Sequence, residues 1–185
     1  MAIDINQIRN KQRILITGNN DVAEISEMIK HVFEYVNKEF DSFDEQIGKA
    51  PILLLASSEQ TSIEPGAFVK FEPHILLIHN INEKGMPTSY SSFEDYIAQF
   101  EDAADVLPKA GSYIYNEDND VANMIGTKAR DGVNNIKYKR LNDKDLPVYL
   151  RDKDSSFIEH ASAVLALMKR VGIKEDQFFE ALSQK

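Results

Sequence analysis

Two apolar runs that never alternate with polar residues constrain this chain most. They are PILLLAS (51–57) and PHILLIHNI (73–81), each opened by a proline. A strand with one wet face shows alternation; continuous apolar runs of this length read as strands covered on both faces. A third run, RILITG (13–18), ends in glycine, and AGSYIYNEDND (110–120) reads as a further strand followed by a polar turn. Between them lie segments of helical period. In 21–40, Val22, Ile25, Ile29, Val32, Phe33, Val36 and Phe40 recur every three or four residues, and in 91–108 Phe93, Ile97, Phe100, Ala104 and Leu107 share one face. Ser91 and Glu94 have capping-box spacing there, and Pro108 stops the pattern. Strands alternating with helices predict an α/β fold, a mostly parallel sheet with helices on both faces.

In such sheets ligands sit outside the carboxyl ends of the strands. The candidate edges are therefore 18–21, 56–60 and 79–84. Beyond them, IKYKRL and PVYLRD read as two short polar strands joined by NDKD, a small edge hairpin. The tail from Ser155 predicts two helices broken at Gly172 in a C-cap position.

With 185 residues, 43% hydrophobic and 28% charged, the chain is expected to form a single domain over 1–185. It has no cysteine, which excludes disulfides, cysteine-ligated zinc, iron–sulfur clusters and thiol nucleophiles. A formal net charge of −9 without a Lys/Arg cluster argues against nucleic acid as a partner. No apolar run reaches the length of a membrane span, and the first residues are too polar for a secretory signal, so the expectation is a cytoplasmic protein without membrane insertion.

The order of these pieces resembles the central, ATP-binding domain of the Mur ligase family, which forms amide bonds in peptidoglycan precursors. The likeness runs over nearly the whole chain. It is strongest in FEPHILLIHNINEKGMPTSYSSFEDYIAQFEDAADVLPKAGSYIYNEDND, similar to the family stretch in which an apolar strand leads to Thr-Asn-Ile, an Asp-His pair, Ser-x-Glu, a helix, Leu-Pro, Gly and Asn-x-Asp-Asp. The tail EHASAVLALMKRVGIKEDQFFEAL is similar to the family's helix pair that opens with His-Asn. The resemblance implies a P-loop-like sheet.

It also implies where a nucleotide would bind, and there the residues differ. The family's phosphate loop follows its first strand as Thr-Gly-Thr-x-Gly-Lys-Thr/Ser, in which glycine lets the backbone approach, lysine neutralises phosphate and the hydroxyl reaches magnesium. Here Thr17 and Gly18 remain. Asn19 stands at the threonine, Asn20 at the variable position, Asp21 at the glycine, Val22 at the lysine and Ala23 at the hydroxyl residue. Asp21 and Glu24 put two carboxylates where triphosphate would sit, and one like-charge contact at about 4 Å costs on the order of 4 kcal/mol at an effective dielectric near 20. The same acids suit a helix N-terminus.

Other positions implied by the resemblance differ too. The magnesium-binding glutamate falls on Ala56, with Glu59 a second acid nearby; the Asp-His pair falls on Lys84 and Gly85. In the tail His160 is kept, while two asparagines near the adenine fall on Ala161 and Val164. The resemblance covers the central domain alone, so the family's N- and C-terminal substrate domains are expected to be missing. The expectation is thus a non-catalytic Mur ligase-like protein, a binding or scaffold protein related to peptidoglycan precursor metabolism, with no catalytic residue and no resident metal or cofactor. Its partner would be a protein or a second copy of itself. Thr17, Gly18, Asn19, Asn20 and Asp21 form a vestigial nucleotide loop, and Glu59, Asn80 and His160 border the crevice. The alternative is an ATP- and magnesium-dependent amide ligase fragment or subunit completed by a partner chain.

Blander readings stand beside these. His74 and His79, five apart along a strand, point to opposite faces and are not expected to share a metal. His79 and Asn80 at a strand end could hold a ligand, but loop hydrogen bonding is the commoner reason for such residues. NEDND reads as a solvated acidic turn. Tyr90, Tyr96, Tyr113 and Tyr115 read as packing residues, and Ser57 and Ser58 lack a nucleophile-elbow frame.

Overall fold

The computed structural model describes residues 4–43, 47–58 and 66–184. Among these, six strands make one sheet: β1 (Gln12–Gly18), β2 (Phe40–Ser42), β3 (Ile52–Ser58), β4 (Ile75–Ile78), β5 (Ser112–Asn116) and β6 (Asn134–Tyr138), in the order β2-β3-β1-β4-β5-β6. Every pairing is parallel, with Ile14 opposite Leu54 on one side and Ile75 on the other. The α/β class expected from the apolar runs is the observed one.

The helices are α1 (Ile5–Ile8), α2 (Val22–Tyr35), α3 (Ala67–Phe71), α4 (Phe93–Asp105), α5 (Asp120–Thr127), α6 (Ser155–Arg170) and α7 (Glu175–Ser183). Pleating sends neighbouring side chains to opposite faces, so each central strand feeds two cores. Ile14, Ile16, Leu54, Ile75 and Leu77 pack with residues of α2, α6 and α7. Leu15, Leu53, Leu55, Leu76 and Ile78 pack on the other face with residues of α1, α3, α4 and α5. This two-sided burial is why 51–57 and 73–81 carry no alternation.

Several local readings are corrected. The expected edge hairpin is absent. Residues 134–138 extend the sheet as a parallel edge strand, and residues 148–150 form a 3-10 turn instead of a returning strand. Leu146 and Leu150 are both buried while Val148 and Tyr149 are exposed, a four-residue period suited to a turn lying on the helical layer. Tyr149 fixes it by donating its hydroxyl to the Phe179 carbonyl at 2.9 Å.

The helix read over 21–40 ends at Tyr35. Asn37 turns left-handed at φ 54°, and Lys38 N–H donates to the Phe33 carbonyl at 2.8 Å, a Schellman-type end that releases Phe40 into β2. The cap of α4 is Ser92, whose hydroxyl accepts from Asp95 N–H at 3.1 Å, one residue beyond the Ser91/Glu94 box. The acidic turn NEDND contains the start of a helix: Asn119 caps α5 by accepting from Ala122 N–H at 2.9 Å, and Glu117 pairs with Lys137 and Lys139. The tail forms α6 and α7, with Gly172 at φ 83° between them. Tyr96, Tyr113 and Tyr115 lie in the core, as packing residues should.

Charges at the amino ends of the strands serve as ties. Buried Lys11 donates to Asp41 at 2.7 Å and to two backbone carbonyls, and Arg13 donates to the carbonyls of Glu72 and Ile8. No helix among the described residues is long and apolar enough to cross a membrane.

Candidate functional site

β1 lies between β3 and β4, so the chain crosses from one half of the sheet to the other beside it. The carboxyl ends of β1 and β4 therefore frame the switch point where such sheets bind ligands. The loop after β1 is Asn19, Asn20 and Asp21; the loop after β4 begins with His79, Asn80, Ile81 and Asn82.

Asparagines stitch these loops together. Asn19 N–H donates to the Asn80 carbonyl at 2.8 Å. The Asn19 side chain donates to the Asn82 carbonyl at 2.9 Å and accepts from Asn82 N–H at 2.7 Å, a two-way clasp that mimics a strand pairing. Asn116 donates to the Asn80 side chain at 3.1 Å, and Asn119 bridges both backbone groups of Ile81. Close approach makes two glycines necessary. At Gly18, with φ 151°, a Cβ would stand 2.8 Å from the Asn80 carbonyl oxygen; at Gly85 it would stand 2.2 Å from the Asn19 amide nitrogen.

Asp21 follows at φ 65°, a left-handed conformation that aspartate tolerates better than most residues. It is the N-cap residue of α2, yet its side chain makes no capping hydrogen bond. The carboxylate lies 3.6 Å from His160 Nε2 on α6 and is 37% exposed. The next residue, Val22, points into the core and is 1% exposed, while Ala23 and Glu24 face solvent.

His79 completes the group. It is 1% exposed; its ring lies parallel to Tyr138 and meets His160 edge-on at 5.8 Å between centroids. Nδ1 shares a 2.7 Å hydrogen bond with the Tyr138 hydroxyl, and Nε2 has no hydrogen-bond partner. Burial pushes the imidazole pKa down to about 4, with nearby His160 acting in the same direction and Asp21 against it. Burial also raises the Tyr138 phenol well above its ordinary value. One ligand atom each from Asp21, His79 and His160 lies within 4.8 Å of the others. The group opens beside a groove of about 680 Å³ between α2 and α6, bordered by Glu24, Glu27, Asp154 and His160.

The residues singled out by sequence divide accordingly. Thr17 is buried and donates to the Ser57 carbonyl at 2.9 Å, away from the loop; Asn20 is exposed. Gly18, Asn19 and Asn80 belong to the stitched joint, and Asp21 and His160 to the histidine group. Glu59 lies outside the described residues. Ala161 and Val164 are fully buried. His74 sits at the opposite end of β4 from His79, accepting from Arg13 N–H at 3.1 Å, so the two histidines do not meet. The partnership of His79 with Tyr138, His160 and Asp21 was not readable from spacing. Only the strand-end position of His79 pointed toward it.

No protein-family model and no curated protein sequence matches the chain. Solved structures do. UDP-N-acetylmuramate:L-alanyl-gamma-D-glutamyl-meso-diaminopimelate ligase from Neisseria meningitides aligns over 95% of this chain and 66% of its own, with a TM-score of 0.75 and 12% identity. MurF from Acinetobacter baumannii aligns over 96% of this chain and 47% of its own (TM-score 0.70, 12% identity). A pseudomurein peptide ligase type C from Methanothermus fervidus aligns over 95% and 50% (TM-score 0.70, 13% identity). The fold is that of a Mur ligase central domain, and the chain spans between about half and two thirds of the length of these ligases.

Proposed function

We propose that this chain is a binding protein built on the Mur ligase frame, without ligase chemistry of its own, in a role related to peptidoglycan precursor metabolism. Its partner is proposed to be a protein or a second copy of the chain. The observation that carries the reading is the loop after β1. Val22, at the position of the phosphate-binding lysine, is a core residue, and the Asn19 side chain is clasped to Asn82 across the switch point. Magnesium triphosphate does not fit these residues: a cation is missing where phosphate charge would accumulate, a hydroxyl is missing at Ala23, and the Asp21 carboxylate stands at the helix entrance where phosphate would meet free N–H groups. The ligase neighbours support the association with cell-wall precursors through their fold.

Thermal melting with millimolar magnesium ATP tests this. A ligand at a hundred times its dissociation constant stabilises a fold by about 2.7 kcal/mol, roughly 5 to 11 °C for a domain of this size. The expected result is no saturable shift. A saturable shift would overturn the reading in favour of an ATP-dependent ligase subunit.

A further inference from the structure

We propose that Asp21, His79 and His160 form a binding site for one divalent transition-metal ion of the zinc class, held by two imidazole nitrogens and one carboxylate. The inference goes beyond the function proposed above and does not depend on nucleotide binding.

Three observations converge. The first is geometric. Tetrahedral zinc with bonds of about 2.0 to 2.1 Å sets its ligand atoms roughly 3.4 Å apart. Asp21 and His160 already stand at 3.6 Å, and the whole triad lies within 4.8 Å, so against a spacing of roughly 3.4 Å no pair needs to close by more than about 1.4 Å. Asp21 has the freedom to settle onto an ion, because its carboxylate is partly exposed and is not spent on capping α2.

The second is the unpaired Nε2 of His79. A buried polar atom without a partner is costly to a fold, and an unfilled ion position is one explanation for it. A metal ion would satisfy it. The other ring nitrogen is held by the Tyr138 hydroxyl, the arrangement in which an outer-shell partner orients a ligating histidine and keeps a lone pair on the metal-facing nitrogen.

The third is access and charge. The groove beside His160 gives an entry path, and Glu24, Glu27 and Asp154 along it favour a cation, offsetting the positive end of the α2 dipole. Two imidazoles with one carboxylate suit zinc or another late first-row ion better than magnesium or calcium, which prefer all-oxygen shells. Three protein ligands leave at least one coordination position for water or for an oxygen or nitrogen donor of a small ligand in the groove.

The test uses the full chain, freed of metal by a chelator that is then removed, with zinc and cobalt(II) salts as the probes and no nucleotide. Calorimetry should give one zinc per chain with a dissociation constant of micromolar or tighter, and cobalt(II) should develop the visible absorption of a four- or five-coordinate site. Asp21→Asn, His79→Gln and His160→Gln should each weaken zinc binding at least 100-fold. Tyr138→Phe, which acts on the metal only through His79, should weaken it about 10- to 100-fold. His79 and His160 are buried, so their variants are first checked for a native urea transition; Asp21→Asn changes a partly exposed loop side chain and keeps the test decisive if they fail to fold. Absence of micromolar binding by the wild-type chain overturns the proposal. So does one-to-one binding undiminished in Asp21→Asn, which would place the metal elsewhere. Magnesium ATP binding without zinc binding would refute the metal site and the proposed function separately.

Discussion

Replacing Val22 by lysine restores the residue type that a phosphate loop carries, and the structure predicts that it harms the fold. Val22 lies at the first position of α2, 1% exposed, among Ile14, Ile16 and the residues of α6. Burial of a valine side chain contributes about 1.5 to 3 kcal/mol. The lysine stem can recover part of those contacts, but only by carrying its ammonium through the core surface to water, and a cation in the first turn opposes the helix dipole by about 0.3 to 1 kcal/mol. The expected loss is about 2 to 4 kcal/mol, or roughly 5 to 15 °C in melting temperature. Where the ammonium stops short of water, burial lowers its pKa below the ordinary value of about 10.4, so the unfolded chain holds the proton more tightly than the folded one. The penalty is then full below the depressed folded pKa and is relieved as pH rises from there toward about 10.4. Urea unfolding at neutral and alkaline pH measures both effects. Ala23→Lys, at the exposed neighbouring position, should cost no more than about 0.5 kcal/mol. If Val22→Lys were as stable as the parent, or Ala23→Lys the costlier change, the side chain at position 22 would face the crevice and the account of the loop would fail.

Two further outcomes concern the joint and the histidine group beside it. Asn19→Ala leaves the Asn82 N–H and carbonyl without their side-chain partners; it should cost about 1 to 3 kcal/mol and speed hydrogen exchange at Asn82, and unchanged exchange would count against the clasp. For His79, the folded pKa of about 4 lies below the ordinary 6.5, so the unfolded chain takes up the proton first as pH falls. Stability is full above about 6.5 and declines toward about 4, by on the order of 3 kcal/mol in metal-free protein. His79→Gln should flatten that decline relative to the parent; His74, also lowered by burial, contributes a slope of its own that both proteins share.

The sheet was legible because burial on both faces writes itself as unbroken apolar runs, and α2, α4, α6 and α7 because each packs one face. What escaped was short or governed by contacts distant in sequence. The three residues of β2 continue the apolar spacing of α2, and only the left-handed turn at Asn37 separates them. Residues 120–127 follow an acidic stretch that looks like a solvated turn, yet Asn119 caps a helix there. PVYLRD carries β-branched and aromatic residues, but the four-residue spacing of Leu146 and Leu150 decides its shape. At the site, sequence located the two loops through the strand-end rule. It could not place His79 of β4's exit, His160 of α6 and Asp21 of the first loop within one cluster, since no local spacing encodes a meeting of three elements.

The central place of β1 has a consequence for how the chain assembles. β1 is synthesised before either strand that borders it, so both of its hydrogen-bonding edges stay bare until β3 and then β4 emerge. Helix α2 can fold at once and cover one flank, because Val22, Ile25 and Ile29 lie near Ile14 and Ile16 in sequence as in space. The β4 edge must wait, and bringing it home closes a long loop, which is a slow step in parallel sheets. The crevice between the ends of β1 and β4 therefore comes into being with that late pairing. A ligand that bridges Asp21 and His79 would engage the chain only after this step and would act as a latch on a nearly finished fold rather than as a seed for its collapse.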